Sequence, residues 1–188
     1  ACRVRPTIVN VSNFSKPVAG EPALLSFDDA RTLFHELGHG LHGLLSNVTY
    51  PILAGTAVSS DFVELPSQLY EHWLEVPEIL QKYALHATTG KPMPQPLLDR
   101  LLSARNFNQA FYTVEYTSCA LLDLDLHSLT NTGSLDVSAF ERQRLDAIHK
   151  QAEIEIRPRM PTFPALFSVV CKAAGACSYR WCEVRQHA

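Results

Sequence analysis

The sequence predicts a mainly α-helical chain with one short β element near its N-terminus. Three observations lead there: apolar residues recur at helical spacing along most of the chain, capping signals precede two of those runs, and only Thr7 to Val11 is a β-branched run. The 188 residues suffice for one domain, whose core would remove roughly 70% of the unfolded chain's surface from water. Hydrophobic residues at 46% against charged residues at 19% exclude the composition of a disordered chain.

Thr7 to Val11 reads as a strand, and turn chemistry follows from Asn13 through Pro17, Gly20 and Pro22. Ser26 and Asp29 form a capping-box pair, with Asp28 and Asp29 placed to interact with the helix dipole. Leu33, Leu37, Leu41 and Leu44 then supply the apolar period and read as that helix's core stripe. Pro51 and Gly55 break the chain before a second helical pattern from about Ser60 to Leu74, with Pro66 inside it as a bend. Pro92, Pro94 and Pro96 precede a long pattern, Leu97 to about Leu129, expected as helix broken near Asn106. Ser138 with Glu141 reads as another capping box, and Leu145, Ile148 and Ala152 as a core stripe ending at Pro158.

Lys and Arg total 16 against 19 Asp and Glu, a formal charge of −3, so no basic field exists to hold nucleic acid or an anionic membrane. The longest apolar stretch, Phe167 to Cys177, is interrupted by Lys172 and too short for a bilayer span, and the N-terminus has no signal pattern. A cytoplasmic protein is expected. The cysteines Cys2, Cys119, Cys171, Cys177 and Cys182 are odd in number, which favours free thiols. The last three lack the CxxC spacing of a thiolate zinc site.

The first helix carries His35-Glu36-Leu37-Gly38-His39, an HExxH pattern. At about 100° per residue the leucines share one stripe, while His35, His39 and His42 fall on the opposite side. Residues at i and i+4 stack one turn apart, so two imidazoles can address one Zn²⁺ at about 2.0–2.1 Å. Glu36, rotated to the flank, is placed to act as a general base on a metal-bound water. The bland alternative is a solvated histidine face. Gly38, Gly40 and Gly43 lie in the same helix, each at a cost of about 1 kcal/mol relative to Ala; close approach of a backbone or a helix crossing would account for them. A long metzincin motif would need Gly at position 42 and His at 45, where this chain has His42 and Leu45. The third ligand is then sought on the second helix, where Glu64 is the natural candidate and Glu71 and Glu75, two and three turns on, are weaker ones.

His35-Glu36-Leu37-Gly38-His39-Gly40-Leu41-His42, Leu53-Ala54-Gly55-Thr56 and Asp61-Phe62-Val63-Glu64-Leu65-Pro66-Ser67-Gln68 together resemble the thimet oligopeptidase family of zinc peptidases, metallopeptidase family M3. The likeness runs from about Arg5 to Leu129 and is greater to the bacterial peptidyl-dipeptidase (dipeptidyl carboxypeptidase) branch than to oligopeptidase A. The resemblance implies a zincin-like helical metallopeptidase core in which His35, His39 and Glu64 bind one Zn²⁺ per chain and Glu36 is the base. It implies a short peptide as substrate, cut in a deep channel between two largely helical halves. Family members are several times longer, so residues 1–188 are expected to form a single partial catalytic domain, a fragment of the catalytic region.

Near the C-terminus the family has a His, a Gly-Gly-Tyr turn and further tyrosines before a Trp. Aligned back from Trp181, Glu183 and Val184, the matches here are Tyr179, Ser178, Gly175, Ala174 and Ala173. The Gly-Gly-Tyr turn falls instead on Val170-Cys171-Lys172, a second tyrosine place on Ala176 and the histidine place near Ala165. Tyr179 is the one aromatic carried over as an oxyanion donor, its alternative being a packed aromatic beside Trp181. The reading that follows is zinc-dependent hydrolysis of short peptides. Its alternatives are a truncated or degenerate homologue that binds zinc or peptide without efficient catalysis, and a helical interaction module without metal.

Overall fold

The computed structural model of the chain describes residues 6–148, 155–157, 159–164 and 173–185. Its contacts fall into two compact units: one runs to Asn106 and resumes at Cys182, the other is Phe107–Trp181.

In the first unit α1 spans Phe27–Leu44, α2 Ser60–Val63, α3 Leu65–Glu71, α4 Pro77–Tyr83 and α5 Gln95–Ser103, with 3-10 turns at Pro51–Leu53, His72–Glu75 and Ala104–Asn106. The α1 start is as the sequence reads: Ser26 Oγ accepts from the Asp29 amide at 3.0 Å and Asp29 Oδ2 accepts from the Ser26 amide at 3.0 Å. The packed face of α1 is not the expected one. Leu33, Leu37 and Leu44 are 42%, 40% and 49% exposed, whereas Gly38 and Gly40 are buried. A Cβ on Gly38 would stand 2.6 Å from Ser67 Cα, so α1 meets α3 backbone to backbone along its His35, Gly38, His39 face. The N-terminal half of α1 adds Phe27, Ala30 and Phe34 to a core of Leu74, Leu80 and Leu98.

The second pattern is two helices and not one bent helix. Glu64, at φ −84° and ψ −11°, closes α2 and opens α3. The break falls before Pro66 because a residue without an N–H is accommodated in a first helical turn, where no intrahelical partner is needed. The turn-rich sequence before α5 hides α4, which Pro77 starts in the same way. The break near Asn106 is present, completed by Asn108 in the left-handed region at φ 58°.

Thr7 to Val11 is not a strand. Among the described residues the only β pairing is an isolated bridge between Leu85 and Pro92, and no neighbour completes a ladder with residues 7–11. This segment instead lies against α1, where Asn10 Nδ2 donates to the Glu36 carbonyl at 3.0 Å.

The second unit holds α6, Gln109–His127, and α7, Val137–Ala147, whose Leu122, Leu126 and Leu145 pack with Ile156 and Met160. Asp136, and not Ser138, caps α7 by accepting from the Ala139 amide at 3.0 Å. Glu141 is buried and serves as an anchor: it accepts from Arg159 Nη2 at 2.8 Å and from the Met160 amide at 3.0 Å. Ile148 of the expected stripe is exposed, and Ala152 and Pro158 lie outside the described residues. The last helix, α8, is Cys177–Arg185. No helix among the described residues is long and apolar enough to cross a membrane.

Candidate metal centre

On α1, His35 and His39 stand one turn apart with ring centroids 4.8 Å apart and planes at 86°. Gly38 lies between them in sequence and removes the side chain that would hold α3 away. The approach delivers Glu64: its Oε2 is 3.2 Å from His35 Nε2 and 3.2 Å from His39 Nε2. Ser67, fully buried at the crossing, directs its hydroxyl to the Glu64 carbonyl at 2.8 Å and to Glu64 Oε2 at 3.1 Å. Glu71, two turns beyond Glu64, lies 2.6 Å from His35 Nδ1.

Ligand atoms of His35, His39 and Glu64 all lie within 4.8 Å of one another. Ligands at about 2.0–2.1 Å from a tetrahedral ion are about 3.3–3.4 Å apart, close to the two 3.2 Å separations seen here. Two imidazoles and a carboxylate are also a zinc donor set. The Glu71 carboxylate, by accepting from Nδ1, fixes the tautomer that turns the His35 Nε2 lone pair inward. The residues therefore fit a zinc ion.

The electrostatics agree. Burial disfavours the His35 imidazolium, but hydrogen bonds with Glu64 and Glu71 outweigh it and carry its pKa up to about 9. Burial of Glu64 acts to raise its pKa, and hydrogen bonds from His35 and His39 overcome this to hold the carboxylate far below its usual range. The neighbouring carboxylates thus favour positive charge on the His35 ring. His42 behaves oppositely: burial, then the nearby His39, lowers its pKa.

Glu36 shares with His39, Glu64 and Asn10 the lining of a cavity of about 600 Å³ beside the donors. His42 lies outside the donor cluster, its ring edge-on to Phe62 at 5.9 Å. Glu75 pairs with Arg105 Nη1 at 3.0 Å. Tyr179 belongs to the second unit, where its ring meets Tyr116 edge-on at 6.4 Å and Tyr116 donates to the Ala176 carbonyl at 2.8 Å. Val170-Cys171-Lys172 and Ala165 lie outside the described residues. The role of Glu71 as the outer partner of His35 is absent from the sequence reading, although its seven-residue spacing from Glu64 signals a shared helix face.

A helical chain with a two-histidine, one-carboxylate donor cluster is thus on hand, and comparison places it. The sequence model of peptidase family M3 matches residues 2–183, and the chain belongs to that family. It is 42% identical over 182 residues to dipeptidyl carboxypeptidase of Salmonella typhimurium, covering 96% of this chain and 27% of that protein. Oligopeptidase A of the same organism is 38% identical over 184 residues, with 96% and 27% covered. Mitochondrial intermediate peptidase 1 of Cryptococcus neoformans is 37% identical over 131 residues, with 70% and 17% covered. The chain spans 27% of the length of these bacterial relatives. The family match passes Leu129 and includes the C-terminal segment, a longer likeness than the motifs alone carry.

Proposed function

We propose that this chain carries the zinc-binding catalytic core of a peptidase acting on short peptides, of the oligopeptidase or peptidyl-dipeptidase type. Both compact units belong, in this reading, to one partial catalytic domain. The convergence of His35 Nε2, His39 Nε2 and Glu64 Oε2 carries the proposal, and the likeness to a dipeptidyl carboxypeptidase and an oligopeptidase supports the substrate class.

These three residues would hold one Zn²⁺, which when bound supplies Lewis-acid polarisation of the scissile carbonyl and lowers the pKa of a coordinated water. Glu36, in the cavity beside them, would take the proton of the attacking water and return it to the leaving amine. Glu71 would hold His35 in its tautomer. Tyr179 would donate a hydrogen bond to the developing oxyanion.

Metal analysis of the purified chain, together with cleavage of a quenched-fluorescent peptide with and without chelator, tests this. One zinc per chain and chelator-sensitive cleavage are expected. A chain that takes up no zinc at excess metal, or cleaves equally well in chelator, would refute it.

A further inference from the structure

Glu64 is the candidate ligand that α1 does not carry, and its placement depends on a weak element. α2 has four residues, a single turn that cannot hold itself through its own hydrogen bonds and must be fixed by tertiary contacts. Those contacts come from α8. Cys182 is completely buried, and its Sγ donates to the Asp61 carbonyl at 3.0 Å. One turn on, the Arg185 guanidinium stands 5.6 Å from the Phe62 ring centre. Phe62 in turn meets His42 of α1. Asp61 and Phe62, which lead directly into Glu64, are therefore each held from outside the turn that bears them.

We propose that Cys182 is a positioning residue for Glu64: its buried thiol holds the Asp61 carbonyl in the single turn that ends at Glu64, and so presents the carboxylate to His35 and His39 before a metal arrives. This rests on the zinc-site reading above. Serine at 182 offers the same donor and acceptor on a slightly shorter arm, whereas alanine offers neither.

Zinc affinity of the 188-residue chain and of Cys182→Ala and Cys182→Ser, measured by competition with a chromophoric chelator, decides it. Alanine should weaken zinc binding by about 10–100-fold, the range for loss of an outer-shell partner, and serine should restore most of it. Equal affinity in the alanine variant and the parent, or serine behaving as alanine, overturns the proposal. Should the alanine variant fail to fold, alkylation of the parent by N-ethylmaleimide, read by mass spectrometry, takes its place. By linkage, saturating zinc should slow labelling of Cys182 more than of Cys119 and Cys177, and Glu64→Gln should abolish that selectivity. Uniform slowing of all three thiols overturns the proposal. A parent chain that binds no zinc removes both this inference and the functional reading, whereas tight binding by parent and alanine variant alike removes this inference alone.

Discussion

His35 is held between two carboxylates of one helical stretch, with Nε2 3.2 Å from Glu64 and Nδ1 2.6 Å from Glu71. The two acids are seven residues apart, one at the junction of α2 and α3 and the other at the end of α3, so both face the same imidazole. Glu71→Gln exchanges the acceptor for a neutral amide that supports the required tautomer less strongly. Zinc affinity should fall about 10–100-fold, read by chelator competition. An unchanged affinity would show the pair to be incidental.

Substitution separates the proposed ligands from the proposed base. Glu36→Gln should retain one zinc and lose hydrolysis, because an amide cannot accept the water's proton. His39→Ala removes one of the three donors and should lose the metal itself. Equal zinc loss in both variants would make Glu36 a ligand and overturn its assignment as base.

The histidine pair of the candidate site was legible in the sequence because i, i+4 spacing on a capped helix is a geometric statement that needs no tertiary information. What covers that helix was not legible. Periodicity reports that the leucines and histidines of α1 lie on different faces, but not which face a neighbour occupies. Gly38 decides it here, since the absent Cβ lets Ser67 approach and buries the histidine side. Thr7 to Val11 failed for the converse reason: β-branched character favours a strand, yet a strand also requires a partner. Glu141, read as the capping-box partner of Ser138, is instead a buried anchor for a loop distant in sequence, and so is Asp123, which no local pattern singles out.

Gly38→Ala tests that explanation. Its Cβ would stand 2.6 Å from Ser67 Cα and 2.8 Å from the Pro66 carbonyl, backbone atoms that cannot swing aside. Overpacking of this kind costs about 1–3 kcal/mol, outweighing the gain of about 1 kcal/mol in helix propensity. Thermal melting should show a net loss of stability, and zinc affinity should drop because α3 must retreat with Glu64. A more stable, fully zinc-competent variant would contradict the crossing.

The metal-free chain should show His35 in its pH dependence. Its folded pKa of about 9 lies above the ordinary 6.5, so the folded chain holds this proton more tightly than the unfolded one. The stabilisation is complete below about pH 6.5 and is lost as pH rises through about 9. Denaturation in chelator across this window should show the decline, and Glu71→Gln should flatten it. Added zinc should release a proton on binding, because a ligating imidazole must be neutral.

Asp123 is completely buried, its Oδ1 accepting from the Ala174 amide and its Oδ2 from the Ala176 amide, both at 3.0 Å, with His127 Nδ1 2.8 Å from Oδ1. Between those amides the chain adopts φ +54° at Ala174, a conformation that an alanine takes only under constraint. Asn has one acceptor oxygen where two are needed, so Asp123→Asn leaves a buried amide facing another donor, at a cost of about 1–3 kcal/mol. The melting temperature should fall, and exchange of the Ala174 and Ala176 amides should accelerate more than that of α7. Ala174→Gly relieves the left-handed strain and should recover part of the loss in the double variant. Slow exchange of both amides in Asp123→Asn would show that this turn is held by something other than the buried carboxylate.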